Sequence, residues 1–329
     1  IMADLVPRNL HINPPPMIEI LPREHVLQAW EWWISCIHPR AALLEGNCCI
    51  YDQKRWDLDN PTELRWNDHS QITYISRLFL VSLLGDISET ICMSLNEPSS
   101  PVRIPPPRLE EHYRNLIAGN PNPDNERDRF ERFRYSLSES LAFWVQLSYL
   151  SQSVRGVDRT TYSISRPNFL PDDKGPDGLA VILQENNANI ELRSVKSSIA
   201  SPKALITSNS FKKNGIPTDG KLLDEFYKVA YESYGLGKLE DLLDKVCRVR
   251  NISTNYETRI GLLGTSKAYN AMVVADDRFA SYPLFSGFDK VCCDATRCIA
   301  TYIGANNWAR FSDEVHHVVE NILNDAGVI

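Results

Sequence analysis

Several signatures that would assign a function quickly are missing from this chain. None of its eight cysteines forms a CxxC pair, so zinc-ribbon spacing is absent. The neighbours Cys48–Cys49 and Cys292–Cys293 are awkward for a disulfide framework, and Cys36, Cys92, Cys247 and Cys298 stand apart. Reduced thiols in a cytoplasmic protein are the expectation. The opening stretch lacks the apolar core of a signal peptide. No apolar run reaches the roughly 18 residues of a membrane span, so no membrane role is expected. The sequon Asn251-Ile252-Ser253 then reads as a chance match. There is no low-complexity tract, block of like charge or internal repeat, which argues against wholesale disorder. GxSxG and HExxH do not occur, and "GLLGTSK" at 261–267 lacks the spacing of a phosphate-binding loop. An excess of positive charge is missing too. The formal net charge is −7, so global electrostatics do not mark a nucleic-acid binder, although a local basic surface can serve an acidic protein.

What is present is enough apolar material for a sizeable core: 43% of 329 residues, as one large domain or two modest ones. Residues 1–20 are Pro-rich and read as extended. "EHVLQAWEWWISCI" has apolar residues at helical spacing and ends before Pro39. Trp30, Trp32 and Trp33 on it read as core or interface. Residues 40–70 read as irregular, and 70–95 as a long buried helix with a possible break near Gly85. "NEPSSPVRIPPPR", 96–108, carries five prolines and is the best boundary in the chain.

Beyond it, 123–154 reads as one or two helices, with Asp124 or Asn125 as cap. The texture then changes. Residues 160–166, 177–183 and 189–198 are strand-like, with a polar turn between the last two. Residues 219–248 return to helix, broken at Gly235 and Gly237; 259–277 offers one or two strands, and 313–327 a last helix. The expected fold class is α+β or α/β: a helical N-terminal region over 1–108, then a second domain over 109–329.

One constellation in the second domain carries chemistry. Hydrolysing a phosphodiester calls for a divalent cation held by carboxylates and backbone carbonyls, and for a further positive group beside the attacking water. Pro176-Asp177 opens the strand "GLAVIL", and Lys196 lies inside the next strand. There Ile190, Leu192, Ser194 and Lys196 share one face, and Glu191, Arg193 and Val195 the other. On the preceding helix, Glu139 interrupts an apolar surface, which is unusual for a carboxylate without a partner. Around the hairpin, Arg193, Lys196, Lys203, Lys212 and Lys213 outnumber the single acid Glu191 over 190–217. Such residues can bind phosphate oxygens irrespective of sequence.

The order of these residues resembles the PD-(D/E)xK nuclease superfamily: a helix with a glutamate, a strand opening on Pro-Asp, a strand carrying acid-x-Lys, then a helix. The resemblance covers about residues 136–275. It implies a restriction-endonuclease-like core with a mixed sheet flanked by helices. It also implies a metal-binding Asp177, a catalytic Lys196 and a helix glutamate at Glu139. Mg²⁺, or Mn²⁺, would be held by Asp177, Glu139 or Glu191, and the carbonyl of Val195. Arg193, Lys203, Lys212 and Lys213 would meet the nucleic acid, with DNA as the expected substrate. The chain departs from the pattern at Ser194, where the family carries an acid. Either Glu191 turns inward through a bulge, or Glu139 fills the gap, or the site is degenerate.

Three functions follow from that resemblance. The first is a Mg²⁺-dependent deoxyribonuclease acting as an anti-phage defence effector under a protein partner such as a helicase or ATPase. The second is a catalytically degenerate scaffold, and the third a sequence-specific restriction endonuclease. Outside the constellation, His316 and His317 are neighbours on an amphipathic helix and should point apart, in surface or packing roles. Cys292, Cys293 and Cys298 read as buried apolar thiols.

Overall fold

The computed structural model describes residues 18–36, 40–43, 48–52, 64–84, 102–104, 126–154, 160–164, 167, 177–184, 187–202, 267–279 and 297–328. Among them are four long helices and a mixed sheet, an α/β arrangement. In chain order the elements are β1 (Ile18–Leu21), α1 (Arg23–Cys36), β2 (Arg40–Leu43), β3 (Cys48–Asp52), β4 (Leu64–Arg65) and α2 (His69–Leu84). They continue with β5 (Val102–Ile104), α3 (Glu126–Val154), β6 (Thr160–Ile164), β7 (Gly178–Gln184) and β8 (Asn187–Ser198). Last come β9 (Lys267–Asp276), a short 3₁₀ turn (Asp277–Phe279), β10 (Arg297–Asn306) and α4 (Trp308–Asp325). The expected helices of 219–248, the "GLLGTS" stretch and Cys292–Cys293 lie outside the described residues.

The main sheet runs β2-β3-β10-β9-β8-β7-β6, with β4 also on β10. β3, β10, β9 and β8 are parallel neighbours, whereas β2, β6 and β7 join antiparallel. β9 sits at the centre. Ala271, Met272, Val273, Val274 and Ala275 are all fully buried, the continuous apolar run expected of a parallel strand covered on both faces. Residues 40–70 were expected to be irregular, yet they supply β2, β3 and β4 to this sheet. Their strands are too short for a clear alternation, so their pairing is set by β10. β10 itself, in a region with no expected element, pairs with β9 from Arg297↔Ala268 to Ala305↔Asp276.

α2, α3 and α4 pack on one another, and α3 and α4 also lie on the sheet. Tryptophans tie this layer together. Trp33 Nε1 donates to Ser148 Oγ at 2.7 Å, and Trp144 Nε1 donates to the carbonyl of Leu78 at 3.1 Å. The rings of Trp30 and Trp144 are 5.5 Å apart. Small serines let α2 and α3 approach closely, with Ser82 and Ser140 hydroxyls 2.7 Å apart. α4 begins at Trp308 rather than Asp313 because Asn307 caps it. Asn307 adopts φ 51°, and its side chain accepts from the N–H of Arg310. Trp308, Phe311, Val315, Val319 and Leu323 form its buried stripe. No described helix is long and apolar enough to cross a membrane.

Candidate metal and lysine site

β7 and β8 form an antiparallel hairpin whose last pair is Gly178↔Arg193. β8 does not stop there. It follows β9 as far as Ser198↔Ala275, so beyond Arg193 its other edge has no partner strand among the described residues. Asp177 stands at that fork. Its Oδ2 accepts from the backbone N–H of Val195 at 2.5 Å and from Ser194 Oγ at 3.3 Å. A side-chain carboxylate thus takes over where the ladder ends. An extended residue directs its N–H and C=O to the same strand edge, so the Val195 carbonyl faces the edge that Asp177 occupies.

Glu139 reaches this place from α3. Its Oε2 is buried and has no hydrogen-bond partner among the described residues. Burial pushes its carboxyl well above the usual range. The Asp177 carboxylate raises it further, while Arg193 and Lys196 pull the other way. Burial raises Asp177 as well, opposed by Lys196, the Val195 N–H, Arg193 and Ser194. Lys196, partly buried on β8 beyond its last pair with β7, is near enough to act on both carboxylates. Two part-buried acids that repel one another, one with an oxygen unpartnered among the described residues, are a set of hard donors that a divalent cation would stabilise.

The face of β8 turned to α3 carries a buried polar chain. Thr301 Oγ1 donates to Asn270 Oδ1 at 3.1 Å, and Asn270 Nδ2 to Glu191 Oε1 at 2.8 Å. Gln146 Nε2 donates to the same Glu191 oxygen at 3.0 Å, and Arg193 Nη1 to Gln146 Oε1 at 2.6 Å. Arg193 Nη2 then donates to the backbone carbonyl of Asp177 at 3.2 Å. Arg193 is 0% exposed and lies over the Phe143 ring, 5.7 Å from its centroid. Burial lowers its pKa to about 10, opposed by Asp177, Glu139 and Glu191.

Several expected site residues therefore stand where their expected roles do not lead. Glu191 is buried, with its Oε1 held by Gln146 and Asn270. No bulge turns it across the strand; the β7–β8 register runs without a shift from Gly178↔Arg193 to Gln184↔Asn187. Arg193 was expected to meet phosphate. It has no exposed surface, and its guanidinium anchors the Asp177 backbone from inside. Lys203, Lys212 and Lys213 lie outside the described residues. Asp177 is hydrogen-bonded to the Val195 N–H, and Glu139 and Lys196 lie within electrostatic reach of it.

Gln146, Asn270, Thr301 and Gly178 were not foreseen. The available signals were a glutamine flanking the apolar stripe of α3 and an asparagine inside the otherwise apolar "KAYNAMVVA" of β9. No protein-family model, curated protein or solved structure matches the chain.

Proposed function

We propose that the chain is a metal-dependent nuclease whose active site is the fork between β7 and β8. The observation that carries this reading is the buried, unpartnered Glu139 Oε2 beside Asp177 and Lys196. A carboxylate is rarely left so unless something outside the protein chain completes it. Oxygen donors from Asp177, Glu139 and Val195 suit Mg²⁺ or Mn²⁺. Glu139 takes the part of the acid that Ser194 replaces, since Glu191 is committed to the network beneath. The cation would supply charge stabilisation at the scissile phosphate and a more acidic bound water.

The chain's own residues have separate tasks in this proposal. Asp177 is held by the Val195 N–H and Ser194 hydroxyl, which fix one oxygen and leave the other for a ligand. Arg193 holds the Asp177 backbone from the buried side. Lys196 orients the attacking water and offsets charge that develops on the phosphate oxygens. DNA as substrate and a restriction-endonuclease-like core rest on the resemblance of the motif order, not on this geometry.

A second reading is favoured by Ser194. Asp177 already accepts two hydrogen bonds, as a purely structural strand cap would. On that reading the chain is a scaffold with a degenerate site. Thermal unfolding with and without Mg²⁺ or Mn²⁺ separates the two. A nuclease site gives a cation-dependent rise in Tm that Asp177→Ala abolishes; no rise in the wild-type protein supports the scaffold.

A further inference from the structure

The one group of three or more metal-ligating side chains that converges among the described residues lies away from the fork, on α4. It consists of His316, His317 and Glu320, whose ligand atoms all lie within 4.8 Å of one another. Adjacent helix positions diverge by about 100° around the axis, and the two histidines do part. His316 is 2% exposed and sits edge-on to Phe133 and Phe130 of α3, at 4.6 and 5.2 Å between centroids. His317 is 60% exposed. Glu320 rejoins them, because it lies four residues from one and three from the other, the two spacings that meet on a helix surface. Its Oε1 is 3.6 Å from His316 Nε2, and its Oε2 is 3.8 Å from His317 Nδ1.

We propose that these three residues form a transition-metal site of the Zn²⁺ class, separate from the fork. Ligands at about 2.0–2.2 Å from a tetrahedral ion stand roughly 3.3–3.5 Å apart. The two contacts to Glu320 exceed that by a few tenths of an ångström, and the two imidazoles lie within 4.8 Å of one another and must close further. The inner ligand is held by aromatic packing, and the exposed His317 can turn toward it. Two imidazole nitrogens and one carboxylate select Zn²⁺ or a neighbouring late first-row ion over Mg²⁺. The exposure of His317, with Glu320 only one-quarter exposed, leaves the solvent side open, so water completes the coordination.

The two sites separate by donor chemistry, so the test uses the Asp177→Ala protein, in which the fork is disabled. Co²⁺ is titrated and its visible absorption recorded, alongside thermal unfolding with Zn²⁺. The expected result is a band that saturates at one equivalent of Co²⁺ and is displaced by Zn²⁺. Zn²⁺ should also raise Tm, and Mg²⁺ should not. His317→Ala and Glu320→Gln, both outward-facing changes, should keep the wild-type fold and lose both signals. Absence of the band in the parent protein overturns the proposal. So does its persistence in the His317→Ala, Glu320→Gln double variant.

Discussion

The Asp177 carboxylate accepts the backbone N–H of Val195, at the residue where β8 has run past the end of β7. This single contact fixes an acid, a strand edge and a backbone carbonyl beside one another. Lys196 follows immediately, and Glu139 approaches from α3. The consequences can be checked one residue at a time.

Gly178 is required by its neighbour. A Cβ built there falls 2.1 Å from Arg193 Nη2, and Arg193 is enclosed on all sides. Gly178→Ala should therefore destabilise the fold by about 1–3 kcal/mol, through overpacking rather than loss of a contact. Urea denaturation measures it. A change within experimental error would mean that the Arg193 side chain does not occupy this space.

Glu139 gives a pH test with a definite sign. Its folded-state pKa is raised, chiefly by burial and next by Asp177. In the pH interval between its ordinary and raised values, the folded chain keeps a proton that the unfolded chain has lost. Without divalent cation its contribution to stability is therefore fully present at low pH and declines as pH rises through the raised pKa. Asp177, raised in the same direction, adds to the slope. Glu139→Gln should flatten the decline that sets in above the ordinary Glu139 value of 4.5, while losing activity. Unfolding free energies of the two proteins across that range decide the matter. An unchanged slope would contradict the assignment.

Glu191 should behave as a structural residue. Removing its carboxylate strands the amides of Gln146 and Asn270 and leaves Arg193 with less compensating charge in a buried place. Glu191→Ala should cost about 3–5 kcal/mol. Glu191→Gln retains one acceptor oxygen and should cost less. If Glu191→Gln instead folds as well as the wild type and removes the Mg²⁺-dependent rise in Tm, Glu191 and not Glu139 is the second metal acid.

The hairpin was the most legible part of the sequence, and for a physical reason. Asp177, Ser194 and Lys196 are related by one short connection and by the two-residue period of a strand. Glu139 was visible as a charge on an apolar helix. Arg193 was misleading because a charged strand residue ordinarily faces water. Its burial depends on Gln146, 47 positions away, and on the missing side chain at Gly178. The Glu191–Asn270–Thr301 chain joins three strands that no local pattern relates. β2 and β3 escaped notice because short strands at the margin of a sheet take their register from a distant partner, here β10.

The most direct test of the central claim is cleavage of labelled DNA by the purified protein in Mg²⁺ or Mn²⁺. It compares the wild type with Asp177→Ala, Glu139→Gln and Lys196→Ala, each first verified as folded by circular dichroism. The account predicts cation-dependent cleavage by the wild type alone, with at least a hundredfold loss in every variant, on the order of ~3 kcal/mol in barrier. Cleavage retained by Asp177→Ala or Lys196→Ala would contradict it.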